Sequence, residues 1–310
     1  MIKTHALGIY PRSTGLIEAT RKNDKKLSQL FQMEKKKLIR EQQKSKLSYV
    51  CDPLLDWDDM FRPFSNMKNV SLGALNRFFE TNTFYRKLVI NGELDDSSRI
   101  VKSHLALSLL PKNKEIAVSM PDPYTFADLN ENNYYKNHTE YLFAIAEMLK
   151  REAKALAGAK VGLIQLHAPS IAYNADKVDI GVIKDAVERI KNGLKTKVYL
   201  HLYFGDISRI FSKLLDIKID GLSIDLSCNN LNSLVDYKVD KGLCLGIVNA
   251  MNTKMEDVKA TAKILSNALD KMSPREAYIS TTCDLQFLPY EFAVKKLSRL
   301  GAIGRNVQFD

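Results

Sequence analysis

Short runs of apolar and β-branched residues alternate along the chain with longer segments in which apolar positions recur every three to four residues. Runs of the first kind are typical of strands buried on both faces of a parallel sheet, and segments of the second kind of amphipathic helices. Strands are predicted over residues 6–10, 47–51, 115–120, 162–166, 198–204, 221–226, 243–248 and 277–281. The clearest helices are predicted over residues 139–157, 177–194, 206–215, 254–271 and 290–299.

This alternation of strands and helices predicts a closed (β/α)8 TIM barrel rather than an open doubly wound sheet, because no GxGxxG pattern follows the first strand. With 310 residues, of which 45% are hydrophobic, residues 1–310 are expected to form a single barrel domain. The second and third strands are separated by residues 52–113, which are rich in aromatic and charged residues but weakly periodic. This segment is predicted to be an insertion with a functional loop or subdomain.

The formal net charge of +10 comes in large part from residues 21–46. That segment is rich in Lys, Gln, Glu and Leu, which predicts a helix with a solvated basic face. Nucleic acid is not an expected partner, since no zinc-finger spacing or RNA-binding motif accompanies the charge, although a basic adaptor that binds nucleic acid is one alternative. The four separated cysteines indicate reduced thiols. Without an apolar run of roughly 20 residues or a signal-like N-terminus, a cytoplasmic protein with no membrane contact is expected.

Polar side chains follow several predicted strands, and in a barrel these positions meet at one mouth where chemistry normally occurs. His201, Asp225 and Cys283 follow the fifth, sixth and eighth strands and offer nitrogen, oxygen and sulfur, all of which zinc accepts. They form a candidate metal set. The alternative is that His201 is a hydrogen-bonded core residue, Asp225 a helix cap and Cys283 a small buried thiol.

Two arginines near the first strand are candidates for binding an anionic substrate. Arg12 follows that strand directly, and Arg21 lies nine residues further on. A guanidinium at a barrel mouth can bind a carboxylate or a phosphate through two parallel hydrogen bonds. An ion pair between Arg12 and Asp52 or Asp58 is the alternative. No residue is singled out as catalytic.

Four segments in the same order resemble the N-terminal barrel of the cobalamin-independent methionine synthase family, whose enzymes carry two related barrels. They read GIYPRSTGLIEATR, LHLYFGDISRIFSKLLDIKIDGLSIDL, LCLGIVNAMN and STTCDLQFLP. The similarity covers nearly the whole chain. It implies a (β/α)8 barrel, and a role in methionine biosynthesis, where a methyl group is transferred to homocysteine.

In that family the C-terminal barrel holds zinc through His-x-Cys, a Glu and a further Cys, and the zinc activates homocysteine as a thiolate. Only His201 and Cys283 match, since Tyr203 stands at the first Cys and Asp225 replaces the Glu. The family's Q-I-D-E-P strand reads QLHAP at 165–169, so both acids are missing. The resemblance therefore implies a barrel closer to the N-terminal half without zinc, whose basic residues, matched here by Arg12 and more loosely by Arg21, bind the glutamate tail of folate.

The expected function is that of an accessory barrel subunit of a homocysteine methyltransferase, in a hetero-oligomer with a homologous zinc-bearing catalytic barrel. An anionic methyl donor, folate or corrinoid, or an acidic carrier protein is the expected further partner. The alternative is a self-sufficient zinc-dependent homocysteine methyltransferase that uses His201, Asp225 and Cys283, with Cys228 supplying the missing sulfur. The sequence leaves open whether this chain is itself an enzyme.

Overall fold

The computed structural model describes residues 2–94 and 99–309, in which eight parallel strands surround a common axis and helices cover them. The strands are β1 (Lys3–His5), β2 (Tyr49–Cys51), β3 (Val70–Arg77), β4 (Phe84–Ile90), β5 (Glu115–Pro121), β6 (Glu131–Asn132), β7 (Leu163–His167), β8 (Lys197–Leu202), β9 (Gly221–Asp225), β10 (Gly242–Val248) and β11 (Glu276–Thr281). The helices are α1 (Thr14–Arg21), α2 (Leu27–Lys44), α3 (Ile100–His104), α4 (Pro123–Leu129), α5 (His138–Gly158), α6 (Pro169–Tyr173), α7 (Ile180–Lys191), α8 (Phe211–Leu215), α9 (Val258–Met272) and α10 (Tyr290–Gly304).

The barrel strands follow the order β1, β11, β10, β9, β8, β7, β5, β2, each paired in parallel with the next. The ring closes between β1 and β2 through hydrogen bonds at one point. Ser48 N donates to Thr4 O at 3.0 Å, and Thr4 N donates to Ser48 Oγ at 3.1 Å. The predicted (β/α)8 barrel is therefore confirmed.

The first strand was predicted in the wrong place. β1 is Lys3–His5, and residues 6–10 form a buried loop after it. The apolar run arises from burial at the mouth and not from strand pairing. Gly8 adopts φ +59° there, and a Cβ on it would lie 1.4 Å from Oδ1 of Asp284. The predicted helix over 206–215 is also shorter, because only Phe211–Leu215 is α-helical.

Three tyrosines fill the barrel interior near the N-terminal ends of the strands. Tyr199 and Tyr278 have ring centroids 5.0 Å apart, and Tyr49 lies 5.9 Å from Tyr278. Gly242 makes room for this layer, since a Cβ there would lie 1.7 Å from the Tyr199 hydroxyl. Interior layers of large side chains of this kind make the barrel a packed core rather than a pore.

The outer helices begin where sequence supplies a capping side chain. Asn137 accepts from Glu140 N at the start of α5, and Asp257 accepts from Ala260 N at the start of α9. Each of these helices then buries one apolar face against the barrel. None of the helices within residues 2–94 and 99–309 has the length and apolar character that spanning a bilayer requires.

The segment over 52–113 contains the antiparallel hairpin of β3 and β4, and β6 pairs with β4. Before the hairpin, Phe61 and Phe64 pack edge-on against Phe126 of α4, with ring centroids 5.6 and 5.4 Å away. At the hairpin tip, Phe79 contacts Phe204, which follows β8, at 5.6 Å. The insertion therefore lies across the C-terminal mouth of the barrel.

Candidate functional site

Five buried polar side chains meet at the mouth of the barrel, and we call them the mouth cluster: Asp122, His167, His201, Tyr203 and Asp284. The parallel register of β7 and β8 sets His167 beside His201, with ring centroids 5.3 Å apart. Tyr203 stacks on His201 at 4.9 Å, and Nδ1 of His167 lies 3.4 Å from Oδ1 of Asp284. Each member is at most 2% exposed.

Burial controls the charge of the mouth cluster. It lowers the pKa of His167 to about 3, with a smaller contribution from His5, and lowers the pKa of His201 well below its ordinary value. Burial also raises the pKa of Asp284 to about 7 and that of Asp122 to about 7. Both imidazoles are therefore neutral at pH 7, and Asp284 is close to its titration point.

Some atoms of the mouth cluster have no hydrogen-bond partner among the residues that the structure describes. They are Nε2 of His167, the hydroxyl of Tyr203 and Oδ1 of Asp284, which approaches His167 without the geometry of a hydrogen bond. Leaving a buried polar atom unpaired costs free energy, so such groups in a barrel mouth indicate a functional position.

The predicted metal set does not fit a zinc ion in this arrangement. Nε2 of His201 donates to the carbonyl oxygen of Thr282 at 3.1 Å, which leaves Nδ1 to accept from Ser223 Oγ at 2.7 Å. Asp225 accepts from both the amide and the hydroxyl of Ser227, at 2.7 and 2.6 Å.

Cys283 is fully buried beside two carboxyls. Burial, with the nearby charges of Asp225 and Asp284, raises the pKa of its thiol well above the ordinary value, so the free thiol is protonated. Across residues 2–94 and 99–309, no three His, Cys, Asp or Glu side chains are arranged to hold a metal ion.

The two candidate anion-binding arginines lie in different surroundings. Arg12 donates from Nη2 to Oδ1 of Asp58 at 2.9 Å and from Nε to the carbonyl oxygen of Leu55 at 2.6 Å. Of the alternatives weighed for Arg12, the structure therefore shows the ion pair with Asp58. Arg21 is exposed in the last turn of α1, where a positive charge interacts favourably with the helix dipole. Arg12 lines a surface cleft beside Trp57 and Tyr290, and Arg21 is not among the residues that line it.

The basic segment over 21–46 is not one solvated face. Nζ of Lys35 is buried, 3.2 Å from Oδ1 of Asp52 and 2.6 Å from Oδ1 of Asp56. This ion pair anchors the start of the insertion to α2. Lys36 and Lys37 beside it are exposed, so the remaining charge does form a basic surface.

The space above the mouth cluster is small. A cavity of about 10 Å³, room for roughly one water, is lined by the following residues. They are Gly8, Ile9, Leu54, Trp57, Met60, Ser119, Met120, His167 and Asp284. The insertion residues Leu54, Trp57 and Met60 thus cover the two polar groups whose atoms lack partners.

Sequence reasoning missed His5 in the barrel interior and did not single out Asp284 at the mouth. His5 was overlooked because the first strand was placed one segment too late, and its Nε2 contacts the amide of Gln165. No spacing signal connects His5 with Gln165, whereas the position of Asp284 directly after Cys283 at a strand end could have identified it.

Comparison with known proteins agrees with this architecture. Residues 55–273 match the family described as "Cobalamin-independent synthase, N-terminal domain". A methionine synthase from Sulfolobus acidocaldarius is 23% identical over 306 residues, covering 96% of this chain and 89% of the relative. A methionine synthase from Saccharolobus solfataricus is 25% identical over 308 residues, covering 96% and 92%.

Two solved structures share the fold. The B12-independent methionine synthase from Shewanella sp. W3-18-1, in complex with selenomethionine, superposes with a TM-score of 0.77 at 20% identity, covering 90% of this chain and 88% of that one. The putative vitamin-B12 independent methionine synthase from Listeria monocytogenes gives 0.77 at 15% identity, with full coverage of both chains. Because the match to the family extends over more than two thirds of the sequence, the chain belongs to the cobalamin-independent methionine synthase family, where it corresponds to the N-terminal domain.

Proposed function

We propose that this chain is the barrel without zinc in a two-component homocysteine methyltransferase, and that a separate, homologous zinc-bearing barrel completes the enzyme. The observation that carries the proposal is the state of the donor atoms at the mouth. Both ring nitrogens of His201 and Oδ1 of Asp225 are hydrogen-bonded within the protein, an arrangement that supports a structural role for these residues.

The chemistry of methyl transfer to homocysteine supports this assignment. A thiol is a poor nucleophile until it is ionised, and the amino acid also carries an ammonium group that favours a fixed negative charge nearby. His167 is neutral and Ala168 has no polar atom, so β7 ends without a carboxylate. A barrel with this mouth depends on its partner to hold and ionise the thiol.

The basic surface supports an anionic methyl donor, or an acidic carrier protein, as the further partner. Lys36, Lys37 and Arg40 are exposed on α2, and the chain as a whole carries a net charge of +10. A surface of one sign raises the local concentration and the association rate of oppositely charged molecules. A folate with a polyglutamate tail and a corrinoid carried by an acidic protein both have the required charge.

Reconstitution tests the proposal. The purified chain is mixed with a zinc-bearing barrel of the same family from the same source. Methionine formation from homocysteine is then measured with methyltetrahydrofolate polyglutamate or methylcobalamin as donor. We expect turnover only when both chains are present. Turnover by this chain alone, or turnover by the zinc-bearing chain that this chain does not increase, contradicts the proposal.

A further inference from the structure

Trp57 separates two spaces at the mouth of the barrel. On its outer side is an open cleft of about 460 Å³, which Arg12, Asp58 and Tyr290 also line. On its inner side is the cavity of about 10 Å³ that reaches His167 and Asp284. The indole of this single tryptophan is therefore part of the wall between solvent and the mouth cluster.

Besides the buried Lys35–Asp56 pair directly before Trp57, the segment that carries this tryptophan is held by contacts that face solvent. Arg12 holds the carbonyl oxygen of Leu55 and the carboxylate of Asp58, the residues on either side of the tryptophan turn. Nη1 of Arg62 also donates to Asp58, at 2.9 Å. The side chain of Asp58 is 49% exposed, so this fastening faces water and is weaker than a buried ion pair.

The closed arrangement also carries identifiable costs. Leu54 adopts φ 51°, a left-handed backbone conformation that a branched side chain rarely takes. The indole Nε1 of Trp57 is buried without a hydrogen-bond partner among the described residues.

We propose that Trp57 is a gate between the surface cleft and the mouth cluster, and that the Arg12–Asp58 pair is its latch. When the latch opens, the indole swings toward the cleft, and a continuous passage reaches His167 and Asp284. The proposal concerns access to the mouth, and it holds whichever barrel carries out the methyl transfer.

Intrinsic fluorescence tests the latch, because all of the tryptophan signal comes from the gate. In Asp58→Asn we expect acrylamide to quench Trp57 several-fold more efficiently than in the unmodified chain, with an unchanged melting temperature. Glu131→Gln is the matched control, since it breaks the pair between Lys87 of the same insertion and Glu131 of β6, at 3.4 Å from Nζ to Oε1. It is expected to leave quenching unchanged.

Thiol labelling tests the passage. Ser119 lines the inner cavity, so Ser119→Cys, made in a Cys228→Ser background, reports access to the mouth, and the native buried Cys244 reports global unfolding. We expect Ser119→Cys to react about tenfold faster with Asp58→Asn or Trp57→Ala, while Cys244 stays unreactive. Unchanged quenching in Asp58→Asn together with unchanged labelling of Ser119→Cys in both variants, or equal acceleration at Cys244, overturns the proposal.

Discussion

Nδ1 of His167 lies 3.4 Å from Oδ1 of Asp284, and each side chain is only 2% exposed. Burial holds the imidazole neutral and raises the pKa of the carboxyl to about 7, so the contact is not an ion pair at neutral pH. This contact connects the residue range directly after β11 with the end of β7. Its electrostatics give a direct test of the structure.

Stability should depend on pH through Asp284. Its folded pKa of about 7 exceeds the ordinary value of 3.8, so between these values the folded protein holds a proton that the unfolded chain has released. The contribution of Asp284 to the free energy of unfolding therefore falls as pH rises through this window, by on the order of 1 kcal/mol per unit.

Urea unfolding of Asp284→Asn between pH 4 and pH 7 checks this dependence. In this variant the free energy of unfolding should lack the decrease with pH that Asp284 causes. Its stability relative to the unmodified chain should therefore improve toward pH 7. The opposite contribution of His167, whose pKa is lowered, is present in both proteins. Asp236→Asn changes an exposed carboxyl and serves as the control. A pH profile of Asp284→Asn that parallels the unmodified chain contradicts the assigned burial.

Lys35 should be far more important for stability than its neighbour Lys36. Lys35→Ala leaves Asp52 buried without its cation, and breaking such a pair costs about 3–5 kcal/mol. Lys36→Ala changes an exposed side chain and should stay within about 0.5 kcal/mol. Chemical denaturation measures both, and equal effects would show that Lys35 is solvated after all.

The difference in burial between Lys35 and its two neighbours also allows a test of nucleic-acid binding. Charge reversal at Lys36 and Lys37 leaves the Lys35 anchor intact, so any change in a salt-dependent shift with RNA reports binding and not unfolding. We expect no specific shift with either protein. A shift that disappears in the double variant would favour the adaptor alternative.

Gly242 should not tolerate a methyl group. Its new Cβ would lie 1.7 Å from the Tyr199 hydroxyl and 3.1 Å from the carbonyl oxygen of Asp220, so Gly242→Ala is expected to cost about 1–3 kcal/mol. Gly15→Ala is the matched control, because a Cβ in that turn of α1 meets nothing within 4 Å. It should stabilise the protein by up to about 1 kcal/mol. Thermal unfolding distinguishes the two, and similar melting temperatures would contradict the packed tyrosine layer.

Cys283→Ser should leave the zinc content of the purified chain unchanged. The thiol is buried and protonated, and His201 and Asp225 are hydrogen-bonded within the protein. Elemental analysis after dialysis against micromolar zinc measures the content, with Cys244→Ser as the control for a buried thiol elsewhere in the barrel. Loss of one zinc per chain in Cys283→Ser alone would favour the self-sufficient enzyme.

Periodicity predicted the barrel because most of its strands and outer helices are determined by local patterning. The β7, β9 and β10 strands are buried along nearly their whole length, and α5 begins and ends within one residue of its predicted bounds. The first strand was misplaced because a buried loop and a buried strand have the same composition. Hydrophobicity reports burial, and pairing partners decide which buried segment is a strand.

The site was less predictable because its properties depend on contacts between distant segments. The residues adjacent to Arg12 in the sequence do not specify that Asp58 accepts its hydrogen bond. The residues adjacent to Lys35 likewise do not show that its ammonium group is buried against Asp52 of the insertion. His201 was correctly placed at a strand end, but its two ring nitrogens are engaged by Ser223, in the middle of β9, and by Thr282, directly after β11. The sequence reveals which residues reach the mouth and leaves their partners undetermined.

We propose that the mouth of this barrel does not by itself bind and ionise homocysteine. The most direct measurement is methionine formation by the isolated chain, supplied with zinc, homocysteine and a methyl donor labelled in its methyl group. The account predicts that no labelled methionine forms above the uncatalysed background. Sustained turnover by the isolated chain that is abolished in Cys283→Ser would contradict it.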